Sequence, residues 1–586
     1  MSSDSDNIVF EDDIEIVNEE EQEIEEFEVS DTPLKDNLYI IHSGEPSKEK
    51  STFAKNYDEV SMKSGIYKSG QLVYNILAPN PVLESPTDKS DTILRFESKF
   101  ESGNLSEAYH VSKNTYNLIL EYDHNKEGSC QWFYFRITNA RKNIEYTFYI
   151  TGFHKKRSIY ASGTKIFWYS ERRAKEQNIS WTRGGENYCY GHLPGQKRRY
   201  KKRYTVSFTI SFPYDDDVIY LAYALPYTYS DLCRDIQNWK KQCSFVKEDI
   251  LCQTLGGRDC PILTVTEPNE FISDEDKNCI FVTARIHPGE SNGSYLMRGF
   301  FKALIDDNKI AKFLRQNYIF KIIPMMNIDG VTEGYYRVSL SSDDLNRMWS
   351  QPNEILHPVV TKAKSEIKTI LSQRKIEMFL DFHGHSRLHG TFAFGCPNDG
   401  TVIQDTEKTY PRLLSYLCDA FSWQNCEFSF PNDRKSAGRI VVRTELDVVQ
   451  SFTVETSFGG IIAGPRAGIL YDQDIWEELG ATCFLALDPF FKCDLDDDFA
   501  MAKHYISSIR MSDHLTENLK PVDEKSEDEI IVYSDNKPPE LVFAPEELYW
   551  STTHSNYFLA SAFDIKTEKP EKINIKFQNF PSYVDE

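Results

Sequence analysis

The 586-residue chain is predicted to be an α/β protein: a doubly wound, mixed-sheet domain preceded by an all-β sandwich, with polar tails at both ends. Three observations predict it. From about residue 95 to 228, short runs alternate apolar and polar residues at every second position with no helical stretch between them, as in a sandwich. From about 229, apolar strand-like runs alternate with helix-like segments, which implies a sheet covered on both faces. Toward the ends the composition turns polar, with acidic blocks at 11–28 and 523–535 that read as solvated tails. The boundaries that follow are 1–90 for an irregular acidic region, 91–228 for the sandwich, 229–510 for the α/β domain and 511–586 for a polar tail.

In the sandwich, strands are expected at 115–122, 131–138, 145–151, 203–210 and 217–223, and their many aromatic residues read as core. In the α/β domain the run 279–286 is a strand that feeds a helix opening at Ser291 and Asn292 and continuing through 295–304. The buried strand 318–326 ends at Asn327-Ile-Asp-Gly330. Then follow a helix at 358–371, a strand at 376–380, a helix at 412–421, a strand at 448–456 and a helix at 473–487. No internal repeat is visible.

Composition excludes several functions. A net charge of −24 argues against nucleic acid as the main partner. The sign reverses at Lys-Arg-Arg-Tyr-Lys-Lys-Arg (197–203) and Lys-Lys-Arg (155–157), which is either a solvated loop or a docking patch for an acidic polymer. The 12 cysteines form no paired framework and no Cys-x-x-Cys, so reduced thiols and a cytoplasmic protein are expected. No apolar run reaches bilayer length, and the first residues lack a signal-peptide pattern, so no membrane insertion is expected.

Four places read His-x-x-Glu: His42/Glu45, His124/Glu127, His287/Glu290 and His514/Glu517. Spacing alone is weak, because about one such match arises by chance in so Glu-rich a chain. His287-Pro-Gly-Glu290 stands out because it directly follows a strand, while a second strand ends at Asp381-Phe-His383-Gly-His385 and a third at Phe452-Thr-Val-Glu455. In an α/β sheet the site lies beyond the carboxyl ends of the strands. Catalytic zinc takes three protein ligands and keeps one position open, and His287, Glu290 and His383 supply that set. The rival third ligand, His385, is expected to face away along the strand and line the cleft. Asp344 is expected to accept the other ring N–H of His287. Glu455 is expected to be the general base, taking a proton from water and passing it to the leaving nitrogen. Arg337 and Asn346-Arg347 have a bland reading as loop residues and a functional one as a carboxylate clamp with an oxyanion-stabilising arginine.

The ordered motifs resemble the zinc metallocarboxypeptidases, specifically the cytosolic carboxypeptidase branch that trims glutamate from tubulin. The resemblance covers roughly 95–500 and rests on Ala284-Arg-Ile-His-Pro-Gly-Glu-Ser291, Pro324-Met-Met-Asn-Ile-Asp-Gly-Val331, Tyr336-Arg337, Asp344-Leu-Asn-Arg347, Asp381-Phe-His-Gly-His-Ser386 and Thr453-Val-Glu-Thr-Ser-Phe458. Upstream, Gln131-Trp-Phe-Tyr-Phe-Arg136, Leu221-Ala-Tyr-Ala-Leu-Pro226 and Cys252-Gln-Thr-Leu-Gly-Gly257 resemble that branch's own sandwich domain and linker. The resemblance implies one zinc per chain on His287, Glu290 and His383, with Glu455 as base and Arg337 polarising the scissile carbonyl. It implies that Asn346 and Arg347 hold the substrate's free carboxylate and that Arg439 lines the side-chain pocket, favouring a terminal glutamate. Ile328, Tyr335, Met348 and Ser436-Ala437 depart from the family pattern without removing a ligand or the base.

The expectation is therefore a zinc carboxypeptidase that removes C-terminal or side-chain-linked glutamates from acidic protein tails. Its partner would be tubulin or another polyglutamylated protein, in the cytoplasm with microtubules, cilia or basal bodies. The alternatives are a zinc amidase or peptidase for another small acidic substrate, and a non-catalytic microtubule-binding module. The complete ligand set argues against the second of these.

Overall fold

Alternating burial along short strands closes the N-terminal half into two sheets. The computed structural model describes residues 70–492 apart from 79–87, 89, 127, 157, 192–202 and 399–405, together with 556–557. The strands are β1 (Gln71–Asn75), β2 (Arg95–Glu97), β3 (Glu107–Ser112), β4 (Thr115–Ile119), β5 (Tyr134–Thr138), β6 (Glu145–Phe153), β7 (Ile166–Ser170), β8 (Thr182–Gly184), β9 (Glu186–Gly191), β10 (Tyr204–Ser211) and β11 (Ile219–Ala222). One sheet runs β1-β3-β4-β6-β10-β9 and the other β2-β5-β11-β7-β8. Phe96, Tyr116, Phe133, Phe135, Phe148 and Phe208 are buried in the core of this unit, so its aromatic richness is core packing. Two details differ from expectation. β1 lies in a stretch expected to be irregular; it is a five-residue edge strand, too short to show a period, that pairs antiparallel with β3 and buries Tyr74. A short helix, α1 (Glu171–Gln177), interrupts the strands where Ser170 accepts the Arg173 N–H as its cap.

The second half comprises α2 (Tyr229–Gln242), β12 (Val246–Gln253), β13 (Asp259–Val265), β14 (Asn278–Ala284), α3 (Ser291–Leu304), α4 (Lys309–Asn317), β15 (Tyr318–Ile323), α5 (Ile328–Glu333), α6 (Pro358–Leu371), β16 (Ile376–His385), β17 (Thr391–Gly395), α7 (Thr409–Leu417), β18 (Glu427–Phe428), α8 (Gly438–Thr444), β19 (Gln450–Ser457) and α9 (Gln473–Leu485). Its sheet order is β12-β13-β15-β14-β16-β19-β17-β18. β15, β14, β16 and β19 are mutually parallel, and antiparallel strands flank them, so the sheet is mixed. The helix expected at 412–421 begins earlier and stops at Leu417. β14 connects to β15 on one side, and the chain then returns to β16 on the other. The crevice between the carboxyl ends of β14 and β16 is therefore the switch point where such sheets hold their ligands. α3 and α9 cross so closely that a Cβ at Gly299 or Gly480 would collide with a backbone carbonyl of the other helix. That contact fixes the start of α3 beneath the crevice.

The sandwich is stitched to the α/β sheet by buried polar contacts. The Arg183 guanidinium donates to the carbonyls of Phe458 and Tyr471, and Asn104 donates to Gly334 O. Ser102 donates through Oγ to Val331 O and through its N–H to Thr332 O. Tyr336 and Phe458, from the second half, pack in the sandwich core. Among the described residues no helix is long and apolar enough to cross a membrane. The basic segment 197–203 lies outside the described residues except for Arg203, as do Arg157, the acidic blocks and His42 and His514 with their partners.

Candidate active site

Leaving β14, the chain turns at Arg285, a non-glycine residue held at φ 59°. Its buried guanidinium closes the turn by donating to Pro288 O at 2.7 Å and to Ser294 Oγ at 2.9 Å. This loop carries His287 and delivers Glu290 to the first position before α3. β16 carries Asp381 and His383, two residues apart and so on one face. His287, Glu290 and His383 are all buried, and one ligand atom from each lies within 4.8 Å of the others.

The hydrogen bonds around the cluster decide what belongs at its centre. His287 Nε2 lies 3.0 Å from Asp344 Oδ1, and His383 Nε2 lies 2.7 Å from Asp381 Oδ2. An ionised carboxylate only accepts, so both Nε2 atoms donate, and in the neutral rings that metal binding requires both Nδ1 atoms are left as lone pairs. Those lone pairs face an anion: His287 Nδ1 is 2.9 Å from Glu290 Oε1 and His383 Nδ1 is 3.1 Å from Oε2. Such an arrangement is repulsive unless positive charge sits between the three groups. Burial alone would raise the Glu290 carboxyl, yet His287 and His383 hold it well below the usual range. Burial alone would lower the His383 imidazole, yet Asp381 and Glu290 hold it well above. Both shifts come from the closeness of carboxylate and imidazole, each favouring the charged form of the other. Two imidazole nitrogens and a carboxylate oxygen, each with its other side anchored, fit zinc. A second grouping, Cys418, Asp419 and Glu478, is neutralised already, because Arg466 donates to Glu478 Oε2 at 2.7 Å and to Asp419 Oδ1 at 2.9 Å.

The remaining sequence-predicted residues connect to this cluster through a chain of hydrogen bonds or through the strand register. Asp344 bridges His287 to Arg337, whose Nε lies 2.9 Å from Asp344 Oδ2. Burial would raise the Asp344 carboxyl, but Arg337, His287 and Arg347 keep it well below its ordinary value. Asp344 also caps the short 3-10 turn Leu345–Arg347 through the Asn346 N–H. Asn346 Oδ1 accepts the Gly438 N–H at 2.8 Å, which ties the turn to the start of α8. The next residue, Arg439, is buried; its Nη1 donates to Gly395 O at 2.6 Å and Ser429 O at 3.3 Å. No described carboxylate pairs with it, and burial lowers its pKa. Glu455 is half-buried on β19, opposite His383 in the parallel register and therefore on the same face as the cluster.

Contrary to expectation, His385 does not face away from His383 along the strand. Residues two apart on a strand share a face, so alternation does not turn it away from His383. What separates it is its own bonding: Nδ1 accepts the Leu388 N–H at 3.0 Å, and the ring lies edge-on to Phe392 at 5.3 Å.

Two positioning groups went unread in the sequence. Asp381 had a signal, its i,i+2 spacing to His383. Asp123 had none, because it comes from the sandwich. Its buried carboxylate accepts three consecutive N–H groups, from Tyr336 at 2.7 Å, Arg337 at 2.6 Å and Val338 at 2.9 Å. Burial pushes this carboxyl up to about 7, against the pull of those donors and of Arg337. The sandwich thus holds the backbone that carries Arg337.

Comparison with known proteins agrees with this geometry. Residues 232–460 match the family model described as zinc carboxypeptidase, and 96–223 match the cytosolic carboxypeptidase N-terminal domain. The chain belongs to the zinc carboxypeptidase family. Within that family it is 37% identical over 435 residues to cytosolic carboxypeptidase 1 of Danio rerio, covering 69% of this chain and 38% of the relative. It is 38% identical over 379 residues to cytosolic carboxypeptidase 2 of Xenopus tropicalis, covering 64% of this chain and 39% of the relative. The chain thus spans less than half the length of these curated relatives. A metallo-carboxypeptidase from Burkholderia cenocepacia shares the fold, with TM-score 0.55, 22% identity and coverage of 68% of this chain and 98% of its own. So does one from Pseudomonas aeruginosa, with TM-score 0.54, 19% identity and coverage of 67% and 98%. The family implies zinc, and the donor set fits it.

Proposed function

We propose that this chain is a zinc-dependent carboxypeptidase that removes glutamate, C-terminal or side-chain-linked, from acidic protein tails, with tubulin as the leading substrate. The observation that carries the glutamate preference is Arg439. It is a buried cation whose hydrogen bonds all use Nη1 and go to neutral acceptors, and it follows the residue bonded to Asn346. A buried charge with no described carboxylate in hydrogen-bond contact is costly, and a substrate carboxylate would offset that cost.

His287, Glu290 and His383 would hold the zinc, which when bound supplies a Lewis acid for the scissile carbonyl and for water. Asn346 and Arg347 take the free carboxylate, Arg337 donates to the carbonyl oxygen as charge develops, and Glu455 moves the proton to the leaving nitrogen. The cytosolic names of the relatives support a cytoplasmic location, and microtubule association follows from the substrate reading. The test compares peptides ending in glutamate, leucine or lysine, with wild type and Arg439→Ala. Wild type should prefer glutamate, and the variant should lose that preference by about tenfold or more in kcat/KM. Equal selectivity in both proteins contradicts the glutamate reading; no hydrolysis of any peptide contradicts carboxypeptidase action.

A further inference from the structure

A further cation stands beside the segments that carry the ligands, and it comes from the sandwich. Lys155 follows β6, its carbonyl pinned by the Tyr190 hydroxyl at 2.5 Å. Its ammonium reaches across to the α/β domain, donating to Tyr336 Oη at 2.9 Å and Ser386 Oγ at 2.8 Å. Those hydroxyls are themselves 3.2 Å apart, and both residues are buried. Ser386 lies three residues beyond His383. Tyr336 precedes Arg337, accepts the Gly289 N–H of the His-Pro-Gly-Glu loop at 2.8 Å, and packs its ring where a Cβ on Gly289 would come within 2.6 Å. The ammonium is therefore held beside both ligand-bearing segments rather than waving in solvent.

Its bonding is incomplete in one respect. An ammonium has three donors, and two are used here on neutral hydroxyls. Among the described residues no carboxylate pairs with Lys155, in a chain with 90 acidic and 66 basic residues. The side chain is half-buried, and its Nζ also lies 5.1 Å from the centre of the Tyr336 ring. Arg439 bonds Gly395, Cys396 and Ser429, a set that shares no member with the partners of Lys155. Each cation therefore has its own set of neutral partners, and each can take a substrate carboxylate of its own.

We infer that Lys155 is a specificity residue contributed by the sandwich, and that it takes the side-chain carboxylate of the substrate residue preceding the terminal glutamate. The inference rests on the carboxypeptidase reading and adds to it that runs of acidic residues are recognised as runs. It also gives the sandwich a part in substrate choice.

Two blocked peptides test this, one ending Glu-Glu-Glu and one ending Ala-Ala-Glu, with full-length wild type, Lys155→Met and Lys155→Arg. Lys155→Met should lose about tenfold in kcat/KM on the acidic peptide and less than about twofold on the neutral one, with Lys155→Arg retaining the preference. Binding of the same peptides is measured in the Glu455→Gln background, where the same selective loss of affinity is expected without turnover. Equal loss on both peptides, or none on either, overturns the inference. If wild type hydrolyses neither peptide, the carboxypeptidase reading falls, and the binding arm still decides the role of Lys155.

Discussion

Replacing Asp123 by asparagine removes the charge from a carboxyl group whose oxygens accept the N–H groups of Tyr336, Arg337 and Val338. The amide retains one acceptor oxygen and turns an NH2 toward the other side. At least one buried N–H then meets a donor, at a cost of about 1–3 kcal/mol. The surviving bonds change from charge-assisted to neutral and weaken by about 1 kcal/mol each. Against this, the neutral amide would spare the burial of a carboxylate, an environment unfavourable enough to push Asp123 up to about 7. The net loss of stability should be about 2 kcal/mol, read as a shift in the urea midpoint with unchanged slope. Because the bonded strip carries Arg337, activity should fall further than stability explains. Displacement of a positioning group by about 1 Å costs on the order of 100-fold, so kcat/KM should drop by about 10- to 100-fold. The decisive comparison is a double-mutant cycle. If Asp123 acts through Arg337, adding Asp123→Asn to Arg337→Ala should cost less than about threefold. Equal costs in both backgrounds, or a wild-type rate for the single variant, would refute the argument.

Other outcomes follow from the same geometry. Asp381→Asn removes the acceptor behind His383 and should weaken zinc binding by about 10- to 100-fold in a competition titration with a chromophoric chelator; unchanged affinity would refute its positioning role. Stripping the metal should lower the thermal midpoint by several degrees, because three buried donors lose their shared cation, and re-adding zinc should restore it. A midpoint indifferent to chelation would mean that protons, not a metal, neutralise His287, Glu290 and His383.

What was legible in the sequence was local. Period-two runs marked the sandwich, and strand–helix alternation marked the mixed sheet, because burial on one or both faces writes directly into residue order. The ligand candidates were visible because each ends a strand, so three distant motifs converge once the strands lie side by side. The edges were harder. β1 is too short to show a period, and β12 and β13, mixed in polarity at the margin of the sheet, carried no clear signal. Contacts between the halves were invisible: Asp123 meets Arg337 from more than two hundred positions away, and Lys155 meets Ser386 across a similar span. Nothing in a residue's neighbours records a partner that only folding supplies. His385 differs for another reason: the strand period puts it on the His383 face, where its Nδ1 accepts the Leu388 N–H and it stays outside the three-residue cluster.

The most direct test of the central claim is glutamate release from polyglutamylated tubulin and from a glutamate-ended peptide, by zinc-loaded wild type and by Glu455→Gln carrying the same metal. About one zinc is expected in each protein and release by wild type alone, with the variant reduced by at least about 100-fold. Equal release by both would contradict the role of Glu455. Absence of release by either, with zinc bound, would contradict the proposed activity while leaving the fold and the metal cluster as described.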